Sequence, residues 1–152
     1  MIHLATAADA PALAQVFFRA VREGDSPYTE AERQAWMPHP PDPDRWAARL
    51  GALDCVLFRD GNEAVGFMTT EPGGYIDLAF ILPAHRGRGV FRALYSEIEA
   101  RARRAGEARL WTHASLMAQP AFQAVGFHVI QHETVERAGQ HLRRAEMEKG
   151  LA

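Results

Sequence analysis

The chain predicts an α+β fold, a central mixed but mostly antiparallel sheet of about seven strands flanked by helices. Three observations carry this. Two turn signals, Asp60-Gly61-Asn62-Glu63 and Pro72-Gly73-Gly74, divide the middle of the chain into three short apolar runs, as consecutive antiparallel strands require. Helical periodicity lies on both sides of that block rather than between its strands. One strand-to-helix turn, at Gly87 and Gly89, supplies a crossover and with it the mixed character of the sheet.

Taken in order, Ile2–Ala5 reads as a short strand. Thr6 and Asp9 offer capping side chains and Pro11 suits a first helical turn; Ala10, Leu13, Phe17 and Ala20 then recur at helical spacing to about Glu23. Thr29 to Trp36 reads as a second helix with Thr29 and Glu32 as a capping box. The prolines from Pro38 to Pro43 form a stiff connector, and Asp44–Leu50 returns to helix. Cys55–Arg59, Ala64–Glu71 and Tyr75–Leu82 are the three core strands. Val90, Leu94, Ile98 and Ala102 mark an amphipathic helix ended by Gly106. Leu110–Ala114 is a strand, Pro120–Val125 a short helix, and Phe127–Glu136 and Leu142–Lys149 a final strand pair around Ala138-Gly139. These terminal strands could also pair across a homodimer.

Composition narrows the function classes. At 152 residues the chain fits one domain, 1–152, with 47% apolar and 24% charged residues, and needs no disulfide or structural metal to fold. Its formal net charge of −2 argues against a nucleic-acid binder. No run approaches the roughly 18 apolar residues of a membrane span, and no apolar signal core follows Met1. With the lone Cys55, these features point to a reducing, cytoplasmic setting. None of the seven histidines falls in a cysteine-backed ligand pattern, so no metal is expected.

The chemistry concentrates in Ile81-Leu82-Pro83-Ala84-His85-Arg86-Gly87-Arg88-Gly89-Val90-Phe91. The first turn of a helix leaves backbone N–H groups without partners, and with the helix dipole these favour phosphate oxygens. Gly87 and Gly89 allow close approach, and Arg86 and Arg88 would add charge-assisted hydrogen bonds at the rim. The spacing is neither a dinucleotide-binding nor a P-loop pattern, and a purely structural glycine turn remains the alternative.

Here the sequence resembles the GNAT acetyltransferase superfamily, whose acetyl-CoA signature is Arg/Gln-x-x-Gly-x-Gly/Ala. Arg86 and Gly89 match, while Phe91 stands where a small residue is usual. Ser115-x-x-Ala118-x-x-x-Phe122-x-x-x-Gly126-Phe127 lies at the spacing of a second family segment. Gly74-Tyr75-Ile76-Asp77-Leu78 and Met147-Glu148-Lys149 resemble the YafP-type subgroup. The resemblance implies a splayed cleft for acetyl-CoA between central strands. Phe80 and Ile81 would bind the pantetheine arm through their backbones, and Arg86, Gly87, Arg88, Gly89, Val90 and Phe91 the pyrophosphate, with a backbone N–H near Ile81 polarising the thioester. Ser115 would bind cofactor through water or cap a helix.

An alkyl ammonium is almost wholly protonated at neutral pH, so a general base is useful. Asp77 and His113 are the candidates, with Tyr75 on the strand face of Asp77; a structural carboxylate and a satisfied histidine are the competing readings. Phe122 stands where many family members have the tyrosine that protonates the departing thiolate. Glu30, Glu32, Asp42 and Asp44 would favour a cationic acceptor or form a solvated face, and Trp36 and Trp46 read as packing residues. The expected function is N-acetyl transfer from acetyl-CoA to a small-molecule amine by direct attack. A CoA-binding module without useful catalysis and a protein or peptide acetyltransferase are the alternatives.

Overall fold

The computed structural model describes residues 1–152. Strands β1 (Ile2–Leu4), β2 (Asp54–Asp60), β3 (Glu63–Glu71), β4 (Tyr75–Ile81), β5 (Arg109–Ser115), β6 (His128–Arg137) and β7 (Gln140–Gly150) form one sheet. Its order is β1-β2-β3-β4-β5-β7-β6, so it draws on the chain from residue 2 to residue 150. Every neighbouring pair is antiparallel except β4 and β5. The helices are α1 (Ala10–Arg22), α2 (Glu30–Trp36), α3 (Pro43–Gly51), α4 (Val90–Arg104) and α5 (Gln119–Ala124).

Local signals fix most of the boundaries. Thr29 Oγ1 accepts from the Glu32 N–H while Glu32 accepts from the Thr29 N–H, the reciprocal pair that starts α2. Asp42 caps α3 by accepting from the Arg45 N–H, with Pro43 in the first turn. The last hairpin is longer than its apolar pattern suggested. Ala138 and Gly139 both take positive φ, 49° and 79°, the backbone of a two-residue turn that lets the ladder continue from Arg137 straight to Gln140. β6 and β7 therefore pair with one another within the chain, leaving β6 at one edge of the sheet and β1 at the other.

The sheet is covered on both faces. Phe67 on β3 meets Trp46 of α3 at a ring separation of 6.0 Å, whereas a side chain at the adjacent Gly66 would strike Val90 and Leu94 of α4 at 3.1 and 3.3 Å. Successive strand residues point to opposite faces, so α1 and α3 cover one face and α4 the other. Trp46 is 3% exposed and donates its indole N–H to the Ala10 carbonyl, a core role.

Only two polar residues are buried, Thr69 and Thr112, and both mend the ladder around β4. The β3–β4 register slips because Ile76 faces Thr70 and Leu78 faces Thr69, which leaves Asp77 as an extra, bulged residue. Thr69 Oγ1 accepts the Leu78 N–H on that side, and Thr112 Oγ1 donates to the Ile76 carbonyl across the β4–β5 gap at 2.8 Å. Thr112→Val keeps the shape but leaves a buried carbonyl without its donor. It is expected to cost about 1–3 kcal/mol, read as a lower urea midpoint with an unchanged m-value.

On the opposite face Glu99 gathers Lys149 Nζ at 2.6 Å, Tyr95 Oη at 2.7 Å and Arg103 Nε at 3.3 Å. The Lys149 ammonium first, then the Tyr95 hydroxyl, holds its carboxyl down at about 2. A carboxylate depressed on folding stabilises above its unfolded value, about 4.3, and that contribution is lost as pH falls from there towards 2. Glu99→Gln is therefore expected to flatten the acid limb of a stability–pH curve between those values, measured by denaturant titration.

Candidate active site

β4 and β5 run parallel but pair only at Tyr75 with Trp111 and Ile76 with Thr112. Beyond the bulge at Asp77 they diverge, and two cavities open along the split. One, of about 390 Å³, is lined by Ile81, Arg86, Gly87, Gly89, Phe91 and Arg92 on the side of the glycine turn. The other, of about 460 Å³, is lined by Tyr75, Asp77, His113, Arg49 and the β6–β7 hairpin. They share Tyr28, Trp36, Ala79, Phe80, Ser115 and Ala118 as walls, so they meet at the middle of the split.

The glycine turn leaves open space in front of the start of α4. Gly87 and Gly89 hold φ of 72° and 83°, and a Cβ on either would meet nothing within 4 Å. No side chain caps α4, and backbone bonding resumes only where the Ala93 N–H donates to the Gly89 carbonyl. The amides of the first turn thus face an open cradle of the kind phosphate oxygens fill.

Two sequence expectations need correction at this end. The Arg86 guanidinium does not reach the rim: it turns inward and donates to the carbonyls of Ala20 at 2.7 Å, Ile81 at 3.3 Å and Asp25 at 3.5 Å. Those orphaned carbonyls outbid solvent for it, and it ties α1 and the following loop to the end of β4. Arg88 is exposed, and Arg92 is the arginine whose side chain lines the cleft without such a backbone engagement. Phe80 is displaced as a backbone donor too. The Leu82 N–H goes to Val65 on β3 and the Leu78 N–H to Thr69, so alternation turns the amides of Ala79 and Ile81 into the split and that of Phe80 away from it. The ring of Phe80 instead packs on Phe17 at 4.4 Å and Trp36 at 6.0 Å as a partition.

In the other cavity Tyr75 and His113 come together. Tyr75 Oη lies 2.8 Å from His113 Nδ1, and Nε2 of the same ring faces Glu133 and Glu146 at 3.5 and 3.7 Å. Carboxylates only accept, so the imidazole proton belongs on Nε2, and Nδ1 accepts from the Tyr75 hydroxyl. Burial, then the Asp77 charge, raises the Tyr75 phenol above its ordinary value, so it keeps that proton. Trp111 packs against both rings, at 4.5 and 5.7 Å. Asp77 is occupied: Arg49 donates to its Oδ2 through Nε at 3.1 Å and Nη2 at 2.9 Å.

Ser115 Oγ accepts the Ala118 N–H at 3.2 Å, one turn before α5 begins. Tyr28 Oη accepts the Leu116 N–H and donates to the Arg143 carbonyl, joining the loop before α2 to the ends of β5 and β7. Phe122 is 1% exposed and meets Phe91 edge-on at 5.0 Å and Phe127 at 4.9 Å.

A profile of the acetyltransferase (GNAT) domain matches residues 25–151. The chain belongs to the GNAT acetyltransferases. It is 30% identical over 128 residues to the uncharacterized N-acetyltransferase YafP of Escherichia coli K12, covering 84% of this chain and 80% of that protein. A GCN5-related N-acetyltransferase from Rhodopseudomonas palustris superposes with a TM-score of 0.92 at 26% identity, over 99% of this chain and 95% of that one. The protein yncA from Salmonella typhimurium, solved with its cofactor acetyl-CoA, shares the fold with a TM-score of 0.74 at 19% identity, over 100% and 94% of the two chains. Within this GNAT chain the two departures from the family pattern, Phe91 and Phe122, form one packing unit, ring against ring.

The acidic residues between Tyr28 and Trp46 do not line the cavity of about 460 Å³. Glu30 pairs with Arg22 and Arg33, while Glu32 and Asp42 cap helices. Local pairing thus engages Glu30, Glu32 and Asp42, and none of the four carboxylates, Asp44 included, reaches the cavity to favour a cationic acceptor. Trp36, by contrast, walls both cavities. Sequence reading passed over Ala79, Arg49, Glu133 and Glu146. Of these only Ala79 had a legible signal, the two-residue period of its strand.

Proposed function

We propose that the chain, as one domain spanning 1–152, transfers an acetyl group from acetyl-CoA to the amine of a small molecule. The observation that carries this is the meeting of the two cavities at Ala79, Phe80, Ser115 and Ala118, with unpaired helix amides on one side and a Tyr75–His113 pair on the other. Acetyl-CoA enters as a co-substrate, its pyrophosphate on the amides from Gly87 to Arg92 and its pantetheine arm along Ala79 and Ile81. An N–H of β4 in the split donates to the thioester oxygen and stabilises the charge that develops there. The neutral amine attacks from the second cavity.

As it attacks, its proton passes to Tyr75 Oη while the Tyr75 proton passes to His113 Nδ1. The imidazolium so formed lies beside Glu133 and Glu146, which stabilise it. Asp77, held by Arg49, positions the bulge rather than taking the proton. The Ser115 hydroxyl already accepts from Ala118, and its own O–H can donate a hydrogen bond to the sulfur, which departs as the thiolate. A thiolate near pKa 8.5 needs little more.

Phe122 favours a second reading, CoA binding without useful turnover, because its buried ring has no proton to give. Release of CoA from acetyl-CoA, followed with a thiol reagent across a panel of primary amines, separates the two. Burial pushes the only cysteine thiol, Cys55, up to about 12, so the reagent reads CoA alone. Amine-dependent release with an acetylated product of the expected mass supports transfer. Release from no amine leaves the binding module. The lone buried thiol fits a cytoplasmic setting, and no helix is long and apolar enough to cross a membrane.

A further inference from the structure

The split between β4 and β5 has ladder bonds at one end only. The strands pair at Tyr75 with Trp111 and at Ile76 with Thr112, and no backbone pair ties them from Asp77 onward. Nothing within the ladder therefore fixes how far apart their ends stand. A short segment crosses that gap. Residues 24–28 lead from the end of α1 to the start of α2, and each end of the segment is fastened to a different strand. At the β4 end, Arg86 donates to the carbonyl of Ile81, the last residue of that strand, at 3.3 Å, and to the carbonyls of Ala20 and Asp25 at 2.7 and 3.5 Å. Gly24 packs so closely there that a Cβ on it would lie 2.7 Å from the Cβ of Pro83, just beyond the strand. At the β5 end, Tyr28 Oη accepts the N–H of Leu116, the residue after the strand, at 2.9 Å and donates to the Arg143 carbonyl of β7.

The link between these anchors is short and stiff. Asp25 and Tyr28 are three peptide links apart, a reach of no more than about 11 Å. Pro27 fixes one torsion between them, and Ser26 Oγ accepts the Tyr28 N–H at 3.1 Å. Ser26 and Tyr28 line the cavity of about 390 Å³ together with Ala79 and Ile81 of β4 and Ser115 of β5. We infer that residues 24–28 form a strap that sets the width of the acetyl-CoA cleft, with Gly24, Tyr28 and Arg86 as its positioning residues. The inference rests on the acetyltransferase reading for the identity of the ligand. The strap does at the open end of the split what the two backbone pairs do at the closed end. A cleft already held at its working width loses no affinity to ordering its walls. With the strap loose, only a fraction of the molecules hold that width at any moment, and the apparent dissociation constant rises by the inverse of that fraction.

The test is calorimetric titration of acetyl-CoA into the full chain and its variants, each first shown to be folded by its thermal melt. Tyr28→Phe keeps the ring but releases Leu116 and Arg143, whereas Gly24→Ala removes no hydrogen-bonding group and crowds the strap off Pro83. Gly61→Ala is the control, since it adds the same methyl at a positive φ, in open space and away from the strap. Should Gly24→Ala fail to fold, Arg86→Lys takes its place at the β4 end, keeping the charge but not the fork of donors. Each single strap variant is expected to raise Kd about tenfold, and Gly61→Ala to leave it unchanged. The double variant should bind no more weakly than the weaker single one, because a strap already loose at one end has no hold left to lose at the other. Independent local damage at two sites would instead multiply to about a hundredfold. An unchanged Kd in either single variant, multiplied losses in the double, or an equal loss in Gly61→Ala would overturn the strap while leaving the acetyltransferase reading intact. No binding of acetyl-CoA by the parent protein would overturn that reading, and the strap with it.

Discussion

Replacing His113 by alanine is expected to lower kcat for amine acetylation by about two to four orders of magnitude while leaving the Kd for acetyl-CoA unchanged. On the proposed path the imidazole takes the Tyr75 proton as Tyr75 takes that of the amine, and His113 Nδ1, at 2.8 Å, is the one hydrogen-bond partner of Tyr75 Oη. Tyr75→Phe interrupts the same path one atom earlier and is expected to fall within the same range. Asp77→Asn is the discriminating control, because its carboxylate is already bound by Arg49. Steady-state kinetics of the three variants decide the matter. If the Asp77 variant loses more than the His113 variant, the base is Asp77 and the proton path through Tyr75 is wrong.

Gly74→Ala should produce the largest loss of stability of any single methyl addition. Gly74 holds φ of +80°, and a Cβ there would sit 2.0 Å from the Arg109 carbonyl oxygen, a backbone atom that cannot step aside. Left-handed strain of about 1–2 kcal/mol adds to overpacking of about 1–3 kcal/mol, so a cost of about 2–5 kcal/mol is expected from chemical denaturation. Gly74 also accepts the Trp111 N–H and leads directly into the only parallel pairing in the sheet. Moving it shifts Trp111, on which both Tyr75 and His113 rest. By contrast Gly61, with φ of +62° and open space around it, has only the conformational term to lose.

Much of this was readable from the chain because it is local. Capping boxes, two-residue turns and the glycine pair each specify their neighbours within four residues, and the elements they bound appear where expected. The GNAT motif marks the open glycine turn before α4 for the same reason. What the sequence left dark is long-range. Nothing in residues 109–150 says that β7 inserts between β5 and β6, and that insertion is what brings Glu146 and Glu133 to His113. Tyr75 and His113 could be nominated separately, but their contact depends on a parallel register that no turn fixes.

Arg86 was expected at the phosphate rim, whereas unsatisfied backbone carbonyls claimed it first. Of the two readings open for Glu30, Glu32 and Asp42, the local one holds: Glu32 closes the expected capping box, Asp42 caps α3 and Glu30 lies beside Arg22 and Arg33. The bulge at Asp77 is a related case. One extra residue resets which amides of β4 turn into the split, and so exchanges the expected role of Phe80 for that of Ala79.

The most direct test of the central claim is a thermal melt with and without acetyl-CoA, repeated for Gly89→Glu, which places a carboxylate in the cradle where the amides of α4 converge. Ligand at 100 times its dissociation constant adds about 2.7 kcal/mol, which for a domain of this size raises Tm by roughly 5–11 °C. The account predicts that rise in the parent protein and its loss in the variant, judged on each protein's own ligand-free Tm. No rise at millimolar acetyl-CoA, or an equal rise in both proteins, would contradict it.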